Sequence, residues 1–176
     1  MSMFPIATQT LASATNGITF NNVPQTFTHL QLRVFQVTTV AGTNTSFGIQ
    51  FATGGGSIDT GANYAFHWVG GNGSSAFSGN ATGTGQIDLI YAVGNTAPTV
   101  AVIDILDYTN TNKNKTVREI MGGDFNGSGE TLMRSGVWLN TGAITSVKWN
   151  NGTANSMGVG TVASLYGIQS SSTTGA

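Results

Sequence analysis

Pro24-Gln25-Thr26-Phe27-Thr28-His29-Leu30-Gln31-Leu32-Arg33-Val34-Phe35 is the stretch whose reading decides the fold. From Thr28 onward it alternates strictly. Thr28, Leu30, Leu32 and Val34 point one way, and His29, Gln31, Arg33 and Phe35 the other. A period of two is the signature of a strand with one face on a core and the other on polar surroundings or a partner. Pro24 cannot donate to a central ladder, so it belongs at the start of the strand, after the turn Asn21-Asn22-Val23. Gly17-Ile18-Thr19-Phe20 reads as a short strand feeding that turn.

The same pattern recurs along the chain. Phe47, Ile49 and Phe51 share one side of 46–51, and Tyr64, Phe66 and Trp68 share one side of 64–69, with Ala65, His67 and Val69 opposite. The alternation resumes over 86–91. Thr99 to Tyr108 is apolar on both faces, which predicts a central strand or one covered on its outer face by a neighbour. In 115–121, Val117, Glu119 and Met121 lie opposite Thr116, Arg118 and Ile120. Residues 137–139 and 143–149 flank Asn140-Thr141-Gly142, a hairpin signal. The last strand covers 160–168. Residues 70–85 read as the longest low-complexity loop, and 122–130 as a turn.

That makes about ten strands with turn chemistry between them and no helix. The longest glycine-free window, 95–121, is rich in β-branched residues and contains Pro98, which disfavours helix there too. The predicted fold is all-β, an antiparallel two-sheet β-sandwich of jelly-roll type. An immunoglobulin-like sandwich is the alternative. The predicted organisation is an extended N-terminal arm over 1–16 (an edge strand being the other reading), the sandwich over 17–169 and a small-residue tail over 170–176.

Composition limits the functions open to such a domain. Only 7% of residues are charged and the net charge is −1, so no basic footprint for nucleic acid or an anionic membrane is present. Lys113, Lys115 and Arg118 form one basic cluster, read as a solvated edge. There is no cysteine, which removes thiol chemistry and Cys-ligated zinc. A surface so poor in charge lacks the usual defence against association, and predicts burial against copies of itself or a larger assembly.

Candidate chemistry is thin. Asp124-Phe125-Asn126-Gly127-Ser128-Gly129-Glu130 spaces oxygen ligands as a calcium loop does, but Ser135 stands where an EF-hand has its glutamate, and a Gly-rich turn is the simpler reading. Asp104 and Asp107 fall on opposite strand faces, which opposes a catalytic pair. Asp104, beside Val100, Val102 and Leu106, needs an ion-pair partner such as Arg33 or Arg118. His29 and His67 lack a triad context and read as hydrogen-bonded strand histidines or intersubunit contacts. Trp68, Trp138 and Trp149, with Tyr64 and Tyr91, offer a sugar-stacking platform if exposed and a core if not. No enzyme activity and no cofactor is expected.

The opening residues Ile18-Thr19-Phe20 and Pro24 to Arg33, with the closing Ser164-Leu165-Tyr166-Gly167-Ile168, resemble virion proteins of tailed phages. So do Asn63 to His67, Tyr108-Thr109-Asn110 with Lys113 to Thr116, and Ala143 to Val147, in the same order. The resemblance implies a jelly-roll domain, often trimeric, that decorates or cements a capsid or ends a tail fibre or appendage. With no long shaft beside the domain, the expectation tilts to a homotrimeric decoration protein on the virion exterior. Its partners would be itself and the major capsid protein. A receptor-binding module for host-surface glycan is the alternative, and a small β-sandwich hydrolase is the weakest reading. Phe35, His67 and Ile90, with Phe4 and Ile6 in the arm, are the candidate contact residues.

Overall fold

The computed structural model describes residues 2–39, 44–93, 97–151 and 157–170, and the side chains of these except 44 and 90–93. Twelve strands run in chain order: β1 (Ser2–Thr10), β2 (Gly17–Phe20), β3 (His29–Gln36), β4 (Asn44–Thr53), β5 (Tyr64–Gly71), β6 (Ala76–Thr84), β7 (Ile87–Val93), β8 (Thr99–Leu106), β9 (Lys115–Asp124), β10 (Gly129–Trp138), β11 (Ile144–Asn150) and β12 (Val162–Gln169). No helix occurs among the described residues.

The strands form two antiparallel sheets. The larger has the order β1-β12-β3-β8-β9-β10-β5-β6, and the smaller β2-β11-β4-β7. Two hairpins, β5–β6 and β9–β10, extend the larger sheet beyond β8. Without them eight strands remain, and their pairing is nested. The first pairs with the last (β1 with β12), the second with the seventh (β2 with β11), the third with the sixth (β3 with β8) and the fourth with the fifth (β4 with β7).

One core lies between the sheets, built by the alternation read in the sequence. Leu30, Leu32 and Val34 of β3 face Phe47, Ile49 and Phe51 of β4, and all six are buried. Phe51, Tyr64 and Trp138 form an aromatic cluster with ring centroids 5.5–6.5 Å apart. Buried aromatic polar atoms need partners. Trp138 Nε1 donates to Asp59 Oδ2 at 2.7 Å, Tyr64 Oη to the Asp59 carbonyl at 2.9 Å, and Trp149 Nε1 to Gln36 Oε1 at 2.9 Å. Asp59 thereby fastens the 54–63 loop to the core. Burial pushes its carboxyl up, but hydrogen bonds from Trp138, Asn63 and Gly61 outweigh that and hold it below the ordinary value.

Five expectations need correction. Ser2–Thr10 is a full edge strand, antiparallel to β12, with a bulge between Pro5 and Ala7. Residues 76–84 are strand β6 rather than loop, because pairing with β5 supplies the hydrogen bonds that their Gly-, Ser- and Asn-rich sequence does not advertise. Strand β10 begins at Gly129, eight residues before the expected 137, for the same reason. The 139–143 turn does not close a hairpin, since β10 and β11 belong to different sheets. Nor is Lys115 solvated. It is fully buried, and its ammonium donates to the carbonyls of Asn110, Lys113 and Thr141, the last at 2.8 Å.

Candidate interaction face

An antiparallel sheet with one face on a core normally turns polar residues outward. The centre of the larger sheet does not. Phe35, Val100, Val102, Ile120, Met133 and Val69 all point outward and are 41–55% exposed. Their register makes them neighbours. Phe35 is paired with Val100, Val102 with Ile120, Ile120 with Met133, and Met133 with Val69. Directly opposed side chains lie about 5 Å apart, so the band is continuous across β3, β8, β9, β10 and β5. At about 4.8 Å per strand it spans roughly 19 Å. At one end, between β12, β3 and β8, a depression of about 280 Å³ is lined by Phe35, Val100, Val102 and Val162.

A polar row borders the band. Arg33 Nε donates to Gln31 Oε1 at 2.9 Å, Gln31 Nε2 to Asp104 Oδ1 at 2.9 Å, and Arg118 Nη2 to Asp104 Oδ2 at 2.7 Å. Asp104 thus has the ion-pair partner its apolar neighbours demanded. His67 continues this row on β5, through Ser135 on β10. Phe35 and His67 therefore share one face, four strands apart. Phe4, on edge strand β1, is 44% exposed and stacks on Phe27 at 5.7 Å. Ile6 packs partly against the core. Ile90 belongs to β7 in the smaller sheet, opposite Phe47, and its side chain lies outside the described residues.

The remaining candidates are held in structural roles. His29 Nδ1 accepts the Asp107 N–H at 2.9 Å. The Lys113 ammonium pairs with Asp107 and, as the largest cause, holds that carboxyl below its ordinary value. Asp124 Oδ1 accepts the Asn126 N–H at 2.8 Å, inside a hairpin turn in which Asn126 and Gly127 take φ of 60° and 106°. Among the described residues no group of three or more metal-ligating side chains assembles.

The inner face of the same sheet carries a second feature. Glu119 on β9, Arg134 on β10, Trp68 on β5 and Gly79 on β6 are successive cross-strand partners. The Arg134 guanidinium lies 5.7 Å from the Trp68 ring and donates through Nη1 to the Asp88 carbonyl at 2.7 Å, so it caps the open edge of β7. Glu119 is 1% exposed, and its nearer oxygen stands 3.8 Å from Arg134 Nε. Among the described residues, neither carboxyl oxygen of Glu119 has a hydrogen-bond partner. Burial therefore outweighs the attraction of Arg134 and pushes the carboxyl up to about 8. Glycine is required at position 79, where a Cβ would stand 2.3 Å from the Trp68 ring. Because β5–β6 overhangs β7, a groove of about 390 Å³ opens there, lined by Phe66, Trp68, Phe77, Leu132, Asp88 and Glu130 among others.

No family model and no curated protein matches this chain. A chain from the structure of infectious bursal disease virus, Gt strain, aligns at 14% identity with a TM-score of 0.15, covering 96% of this chain and 38% of that one. Similarity at that level carries no argument.

Of the aromatic platform read in the sequence, Trp138 and Trp149 are core and Trp68 alone borders open space; the side chain of Tyr91 lies outside the described residues. The sequence reading missed the Glu119–Arg134 pair. A signal for it existed, since Glu119 alternates in phase with Val117 and Met121, and an acid on a core face needs a compensating group.

Proposed function

We propose that this chain is a non-enzymatic structural protein of a tailed-phage virion, a homotrimeric decoration protein that stabilises the capsid from outside. The apolar outer band is the observation that carries the reading. Contiguous exposed apolar surface on central strands marks an interaction site in a soluble domain, and the scarcity of charge leaves little to keep copies apart. The band would be buried on neighbouring subunits, and binding to the assembled shell alone would stabilise it by mass action.

The strand order supports the jelly-roll reading within this proposal. An antiparallel ribbon pairing first strand with last, second with seventh and inward to the fourth and fifth, then wrapped on itself, makes a jelly roll of two Greek keys. The eight strands left after removing β5–β6 and β9–β10 pair in that way. We infer a jelly roll with two hairpin insertions, both of which enlarge the sheet that bears the band.

Light scattering of the wild type and of the double variant Ile120→Lys/Met133→Lys tests the reading. Both side chains are more than half exposed, so the monomer should fold unchanged. The wild type should be a trimer that binds shells lacking it and raises their melting temperature. The variant should be monomeric and bind shells at least tenfold more weakly. An oligomer and a shell affinity that both survive the double substitution would overturn the assignment of this face.

A further inference from the structure

We propose that the groove between the β5–β6 hairpin and β7 is a binding site for a neutral pyranose sugar. This site is on the inner face of the larger sheet, opposite the apolar band, so it stands independently of the assembly reading.

The lining divides into two chemistries. Phe66, Trp68, Phe77, Ala81 and Leu132 form an apolar wall, and Asp88, Glu130 and Arg134 bring polar groups to it. Pockets of this size with a mostly apolar lining and a few polar groups are the usual form of small-ligand sites. Aromatic walls suit the C–H face of a pyranose ring, and carboxylates accept hydrogen bonds from its hydroxyls. The guanidinium of Arg134 is committed to the Asp88 carbonyl, the Trp68 ring and the neighbourhood of Glu119. Asp88 alternates out of phase with buried Ile87 and Leu89, and its carboxyl already accepts from Gln86 Nε2, so the charged group left to meet a ligand is the Glu130 carboxyl. A carboxylate repels sialic acids, uronic acids and phosphates, which selects neutral sugars over anionic ones. Glu130 is partly buried on the inner face of β10, next in phase to Leu132 and Arg134, and lines the groove.

Geometry explains why the groove remains open within the subunit. The smaller sheet ends at β7, while the larger sheet continues through β5 to the edge strand β6. Arg134 bridges the step between them and keeps the edge of β7 in place. The absence of a side chain at Gly79 lets the Trp68 ring lie over β6, where it forms part of the wall.

The tryptophans supply a direct readout. Trp138 and Trp149 are 1% and 0% exposed, so quenching by acrylamide reports mainly on Trp68. The probes are glucose, galactose, mannose, N-acetylglucosamine and their short oligomers, with sialyllactose as the anionic control. At least one neutral saccharide should protect Trp68 saturably, reducing its quenching constant twofold or more, and sialyllactose should not. Glu130→Gln, a near-isosteric change, should weaken that binding about tenfold, the usual consequence of losing one charge-assisted hydrogen bond. Phe77→Ser should abolish it, while Ile120→Lys/Met133→Lys should leave it intact. No protection by any neutral sugar at millimolar concentration would overturn the proposal. So would protection insensitive to both groove variants. Protection that arises from raising protein concentration alone would assign the groove to a neighbouring subunit and overturn it as well.

Discussion

Glu119 is the residue whose chemistry depends most on the fold. Its folded value of about 8 lies above the ordinary 4.5, so the folded state holds the proton more tightly than the unfolded chain does. Stability contributed by this group is fully present below pH 4.5 and is lost as pH rises from there through about 8. Each unit of separation corresponds to about 1.4 kcal/mol, so the loss is on the order of a few kcal/mol. Glu119→Gln keeps the shape and removes the titration. Denaturant melts at pH 4.5, 7 and 9 should show the wild type weakening across the series relative to the variant. Parallel pH profiles would mean that the carboxyl is not desolvated as described. The sequence puts Glu119 in phase with Val117 and Met121 but contains nothing to show that Arg134 is its cross-strand partner. Strand pairing between β9 and β10 decided that.

At the scale of elements, buried side-chain anchors and strand pairing set the geometry. Lys115, at the first position of β9, ties the 107–114 turn to the 139–143 crossover through three backbone carbonyls. Lys115→Met would preserve the aliphatic stem and leave those carbonyls without their donor. Leaving buried acceptors unpaired costs about 1–3 kcal/mol each, so a loss of at least about 3 kcal/mol is expected by urea denaturation. A change below about 1 kcal/mol would show that water replaces the ammonium. The basic cluster in the sequence concealed this role, because Lys113 and Arg118 on either side do reach solvent. Strand β6 was hidden for a related reason. Its composition is that of a loop, and only the neighbouring strand β5 makes it regular.

At the scale of the whole molecule, the band on the outer face and the groove on the inner face belong to the same enlarged sheet. If the band is an intersubunit surface, folding is linked to association. The wild-type Tm should then rise with protein concentration across the micromolar range, and that of Ile120→Lys/Met133→Lys should not. Calorimetry at several concentrations measures both. A concentration-independent wild-type Tm would remove self-association as the reason for the exposed apolar residues.

Local alternation was enough to determine the all-β class and which residues share a face on β3, β5, β8 and β9. Period two is a property of the backbone over a few residues, and Leu30, Leu32 and Val34 display it without help from the rest of the chain. Register and sheet order, by contrast, arise from pairing between strands, some in adjacent hairpins and some far apart in sequence. Those pairings made strands of 76–84 and 129–136, buried Lys115, joined Val102 to Ile120 and Met133, and left Trp68 beside an open groove while enclosing Trp138 and Trp149.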